Sequence, residues 1–126
     1  MSNTVYDAAI VHCPDYDAAH VRAALTEALD AIGGLDWVRS GMKVGIKPNL
    51  AAAKTPEFAV CTHPVMVAEL TKMLIERGAQ VTIGESPGGL YTAAALNHSY
   101  SATGMTLAAE AGAKLNDDFS SKEGHF

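Results

Sequence analysis

The chain has 126 residues, 48% of them apolar and 18% charged, and carries a formal net charge of -5. That length holds one domain around one sizeable core, and the apolar share is that of a folding chain rather than a disordered one. Its nine Lys and Arg are scattered and form no basic stripe, which argues against nucleic acid or an anionic membrane surface as a partner.

The opening residues Met1-Ser2-Asn3-Thr4 lack the basic and then apolar segments of a signal peptide. No stretch approaches the roughly 18 apolar residues of a membrane span, so a cytoplasmic protein is expected. Ala8-Ala9-Ile10-Val11-His12-Cys13 is a short apolar run with the composition of a buried strand, stopped by Pro14 and Asp15. Asp17 is placed to cap a helix over residues 18–32, with Val21, Leu25, Ala28, Leu29 and Ile32 at helical spacing and Gly33-Gly34 as its stop. Residues 35–40 read as a connector whose Trp37 and Val38 cover the sheet edge. Gly41 then turns the chain into a second strand, Met42-Lys43-Val44-Gly45-Ile46-Lys47, which ends at Pro48 because proline cannot donate to a ladder.

Residues 49–61 form a loop longer than most connections in a compact α/β domain, and such loops carry function more often than spacing alone. Thr62 or His63 is expected to cap a second helix with Pro64 at its first position and Val67, Leu70, Thr71, Leu74 and Ile75 on the buried stripe. Gln80-Val81-Thr82-Ile83 reads as a third strand, breaking after Glu85-Ser86 into Pro87-Gly88-Gly89. Short helices over residues 92–100 and 106–111 and a fourth strand at Ala113-Lys114-Leu115-Asn116 complete a single domain over residues 1–116. A polar tail follows at 117–126. The alternation implies an α/β fold: a mostly parallel, Rossmann-like or flavodoxin-like three-layer sheet of about four strands with flanking helices.

In an open parallel sheet, ligands bind beyond the carboxyl ends of the strands. Three polar clusters fall there: Lys47-Pro48-Asn49, Thr62-His63-Pro64 and Glu85-Ser86-Pro87-Gly88-Gly89. Lys47 and Asn49 can meet one anionic or carbonyl-bearing ligand, or they serve only to snorkel at a sheet edge and satisfy loop backbone. His63 is either a helix cap or a poised acid, base or ligand beside a helix dipole. Gly88 and Gly89 after Glu85 and Ser86 allow close backbone approach to a ligand, or form a plain turn. The last cluster lacks the Gly-Lys-Ser/Thr ending of a P-loop and is not the Gly-x-Gly-x-x-Gly dinucleotide fingerprint.

Ser86 with His63 and Glu85 has the residue types of a hydrolase triad but no Gly-x-Ser-x-Gly elbow. His12 and Cys13 match no standard metal spacing, and no metal site is expected. Cys13 and Cys61 are too few for a disulfide scaffold or for an iron–sulfur cluster held by four thiolates of this chain alone.

At the opening strand to Cys13, Gly33-Gly34, Gly41-Met42-Lys43-Val44-Gly45-Ile46-Lys47-Pro48-Asn49-Leu50, Thr62-His63-Pro64, Gly78-Ala79, Gly84-Glu85-Ser86-Pro87-Gly88-Gly89 and Thr103-Gly104, the sequence resembles the domain-of-unknown-function 362 (DUF362) family. The resemblance implies a redox-associated protein: members are usually much longer, often carry ferredoxin-like cysteine motifs for two 4Fe–4S clusters further along, and share no settled general activity. This chain departs from that pattern in lacking the cluster cysteines and in its length, and it looks like an N-terminal part or a short member.

The expectation is a domain that binds an anionic small molecule or cofactor of unknown identity, with His63 and Glu85 as candidate catalytic residues. Lys47, Asn49, Thr62, Ser86, Gly88 and Gly89 are the candidate ligand contacts. The alternatives are a general acid/base enzyme using His63 or Glu85 with Lys47, and an interaction module. A homodimer through a sheet edge and an electron-transfer protein are the expected macromolecular partners.

Overall fold

Asp17 begins the regular structure by accepting from the backbone N–H groups of Ala19 and His20 at 3.0 and 3.4 Å, which satisfies donors that a helix start leaves open. The computed structural model describes residues 4–86, 92–120 and 124. Helix α1 (Ala18–Ala31) ends one residue earlier than expected, with Ile32 as its cap. Of the apolar stripe read from its sequence, only Val21 is buried, and Ile32 is 44% exposed. The reason is placement: α1 stacks on helix α2 (Pro64–Glu76) rather than on the sheet, with Arg22 paired to Glu69 at 3.7 Å and to Glu76.

Strands β1 (Lys43–Ile46), β2 (Gln80–Ile83) and β3 (Lys114–Leu115) form one parallel sheet in the order β1-β2-β3. α2 crosses from β1 to β2, while α3 (Ala93–Ala102) and α4 (Thr106–Glu110) lie between β2 and β3. The register aligns Val44 with Val81, Ile46 with Ile83 and Ile83 with Leu115, so one face of the pleat is apolar. It meets a core that contains Val67, Leu74, Leu96, Tyr100, Met105 and Ala108. The opposite face carries Lys43, Gly45, Gln80, Thr82 and Lys114 around a shallow depression of about 430 Å³, and among the described residues no helix covers it. The fold is therefore the expected parallel α/β arrangement with three strands instead of about four.

The missing strand is the first. Residues 8–13 have a strand's composition, but among the described residues they join no ladder, and Ile10 is fully exposed. The Tyr6 N–H donates to the Ala31 carbonyl at 2.9 Å and Asp17 caps α1, so the intervening segment runs back along α1 from its end to its start. With α1 stacked on α2, that path does not bring the segment into the sheet beside β1. The connector also differs from its reading: Val38 enters the core, while Trp37 is 56% exposed.

Two turns fix where β1 and β2 begin. The Gly41 N–H donates to the Gly78 carbonyl at 2.8 Å. Gly78 has φ +86°, and a Cβ there would lie 2.8 Å from the Ser40 Cα. Gly41 has φ +79° but open space around its missing Cβ. Gly41→Ala should therefore cost only the left-handed penalty, about 1–2 kcal/mol, and Gly78→Ala clearly more, because a backbone must also shift. Urea unfolding of the two variants checks the order.

Candidate functional site

β1 delivers Lys47 to the carboxyl edge of the sheet, and the buried Pro48 ends the strand there. The next residues close a long loop on itself. The Thr62 N–H donates to the Asn49 carbonyl and the Asn49 N–H to Thr62 Oγ1, both at 2.9 Å, beside an antiparallel bridge between Leu50 and Cys61. The Asn49 side-chain amide donates to the Val60 carbonyl at 3.3 Å, and Cys61 Sγ to that of Ala52 at 3.2 Å. Asn49 and Thr62 thus meet as the neck of the loop. Within it lies a 3₁₀ turn, Pro56–Phe58, capped by Ala59 at φ 53°.

β2 delivers Glu85 to the same edge. Its side chain is 6% exposed, and its carboxylate accepts from Lys47 Nζ at 2.9 Å, from the Ser86 N–H at 2.6 Å and from the Leu50 N–H at 3.3 Å. Burial pushes the Glu85 carboxyl up, but Lys47 and the two N–H donors outweigh it and hold the group below the usual glutamate range. Glu85 is an anion at neutral pH. Lys47 contacts both carboxylate oxygens, at 2.9 and 3.1 Å, while remaining 70% exposed. An ammonium has three donors, so one is left to face solvent above the strand ends.

His63 is the cap of α2. Its Nδ1 accepts from the Val65 N–H at 3.2 Å, which fixes the neutral tautomer with hydrogen on Nε2. The ring stacks on Tyr16 at a centroid separation of 3.6 Å and an angle of 6°. Burial lowers the affinity of His63 for a second proton, with Glu57 opposing weakly. A protonated ring would also lose the acceptor that caps the helix.

The structure thus joins Lys47 to Glu85, and Asn49 to Thr62. The Glu85 contact to Leu50 links the two pairs through backbone. Ser86 is exposed and follows Glu85 directly, and among the described residues it makes no hydrogen bond to His63. Gly88 and Gly89 lie outside the described residues.

Other residues at this edge escaped the sequence reading. The Tyr100 hydroxyl donates to the Asn116 carbonyl at 2.7 Å and lies 3.3 Å from that of Ile83, tying α3 to the ends of β2 and β3. Asn116 donates its N–H to the Ile83 carbonyl at 2.8 Å. The Asn97 amide donates to Asp117 at 3.3 Å. Neither Tyr100, in a helix that also carries Asn97, His98, Ser99 and Ser101, nor Tyr16 gives a local signal for its contact. Cys13 and Cys61 are free thiols. Among the described residues no group of three or more His, Cys, Asp and Glu converges on a metal position, and no helix is long and apolar enough to cross a membrane.

The family model described as domain of unknown function (DUF362) matches residues 44–125. A thylakoid-associated protein of Synechocystis sp. is 30% identical over 98 residues, which are 76% of this chain and 30% of that protein. No solved structure gives a significant match.

Two outcomes are expected from these contacts. A carboxyl with a lowered folded-state pKa adds stability above its unfolded pKa, and that stability is lost as pH falls through the folded value. Glu85→Gln should therefore cost about 1–3 kcal/mol at neutral pH, a gap that narrows as pH falls below the ordinary glutamate range; urea unfolding from neutral into acid pH measures it. NMR titration should place His63 below the ordinary histidine value and His20, bonded to Asp15 at 2.7 Å, above it. Tyr16→Ala should move His63 back toward the ordinary value by exposing its ring.

Proposed function

The chain belongs to the DUF362 family, and on that premise we propose that it is the ligand-binding part of a redox-associated protein, holding an anionic small molecule or cofactor beyond the carboxyl ends of its strands. One observation carries the reading: Lys47 is pinned by a buried carboxylate yet 70% exposed. An exposed lysine ordinarily sweeps many rotamers, and ordering it costs entropy when a ligand arrives. Here Glu85 has already fixed the ammonium, so a carboxylate or phosphate oxygen meets an oriented donor. Because Glu85 offsets the charge of Lys47, hydrogen-bond geometry contributes more to recognition than net attraction does.

The position supports the same reading, since ligands of open parallel sheets gather at this edge. The contacts lend less support to the acid/base alternative: Glu85 is already engaged by three donors, and His63 spends its free nitrogen on the helix cap. A role as an interaction module finds its support elsewhere on the molecule. The cytoplasmic setting remains part of the proposal. The chain spans about 30% of the Synechocystis relative. The redox association, an electron-transfer partner and any activity of a longer protein stand here as proposals that rest on the family likeness.

NMR titration of the full chain with inorganic phosphate and with citrate tests the reading. Amide shifts should concentrate at Lys47, Leu50, Glu85 and Ser86, and Lys47→Ala should weaken binding about tenfold or more, the value of one charge-assisted hydrogen bond. Millimolar titrations of both anions that leave these amides unmoved would overturn it.

A further inference from the structure

We propose that residues 7–13 are a β-strand that completes the sheet of a second copy of this chain, pairing with the free edge of its β1. Three observations meet in this segment. Its burial alternates, with Ala9 and Val11 half-buried and Ala8, Ile10 and His12 exposed, the period of two that belongs to a strand. Its backbone is unpaired: among the described residues, no N–H or carbonyl of Asp7 to His12 takes part in a backbone hydrogen bond. Its side chains are wrong for solvent, since Ile10 is 101% exposed and Tyr6, just before it, 59%.

The same molecule offers the complement. Among the described residues β1 has β2 on one side only and lies at the edge of the sheet, so it presents a row of open donors and acceptors. The sheet face beside it is lined by Lys43 and Lys114 and by no carboxylate, while Asp7 at the head of the segment makes no ion pair among the described residues. Charge therefore sets the register. A parallel strand with Asp7 beside Lys43 brings Ala8 beside Val44, Ala9 beside Gly45 and Ile10 beside Ile46. In that alignment Ile10 joins the apolar face of the partner's sheet, whose β2 neighbour of Ile46 is the buried Ile83.

Among the described residues each copy has one such segment and one β1 edge, so a two-fold exchange satisfies both at once and closes without leading to a fibre. The interaction is strand addition, in which backbone bonds give affinity and alternate side chains give specificity.

Light scattering and hydrogen exchange on the full chain, over a wide concentration range, test it. A dimer is expected whose dilution speeds exchange at the amides of residues 8–13 and of Gly45 and Lys47, which face away from β2, by about tenfold or more. Ile10→Pro, which removes a donor from a segment without internal bonds, should yield a folded monomer with unchanged circular dichroism. A chain that stays monomeric at the highest concentration would overturn the proposal. So would a dimer in which residues 8–13 exchange freely, or a monomer in which they are protected.

Discussion

A carboxylate taken out of water must be met by donors, and the Glu85 carboxylate organises the carboxyl edge of this sheet for that reason. Its partners come from three places in the chain: the side chain that leaves β1, the backbone of Leu50 at the loop neck, and the residue after Glu85 itself. Meeting them holds the end of β2 against the end of β1. It also fixes the entry to the long loop, because Leu50 is itself 2% exposed and can move only by opening the core. The polar edge and the apolar core are thus one construction: the sheet delivers the carboxylate, and the carboxylate keeps the departing loops apart at a set distance.

Much of the fold is legible in the sequence where periodicity and punctuation agree. α2 was marked by Pro64, by the spacing of Val67, Thr71 and Leu74, and by Gly78, and the structure buries those three side chains. β2 was marked by alternation, and its Val81 and Ile83 are buried as alternation requires. The first strand-like segment lies outside the sheet because composition describes what a segment suits, whereas a strand also needs an edge to lie against. Nothing in Ala8-Ala9-Ile10-Val11-His12-Cys13 reports whether α1 will carry it there. The same gap explains α1, whose apolar spacing is real but whose neighbour is another helix rather than a sheet.

At the candidate site, chain order places Lys47 and Glu85 at the carboxyl ends of their strands but does not give their contacts. Lys47 and Glu85 are 38 positions apart, and a parallel sheet brings them together only because β1 and β2 are adjacent and in register. The plain reading of Asn49 as a satisfier of loop backbone matches what its side chain does with Val60. The plain reading of His63 as a cap matches its bond from Val65. Tyr16 was invisible because stacking across 47 positions leaves no local trace. Tyr100 was invisible as a site residue because its hydroxyl reaches carbonyls at the strand ends, which any residue supplies.

The neck formed by Asn49, Leu50, Cys61 and Thr62 has an evolutionary consequence. Because the chain is already joined where the loop begins and ends, the residues beyond the neck do not carry the positions of Lys47 or His63. Closure entropy grows only slowly with length, about 0.6 kcal/mol for each doubling. The excursion between the two sides of the neck can therefore be lengthened, shortened or exchanged while the frame beneath it keeps its shape. Variation can then change what stands over the strand ends without rebuilding the domain, in the way that an interchangeable head is fitted to a fixed handle.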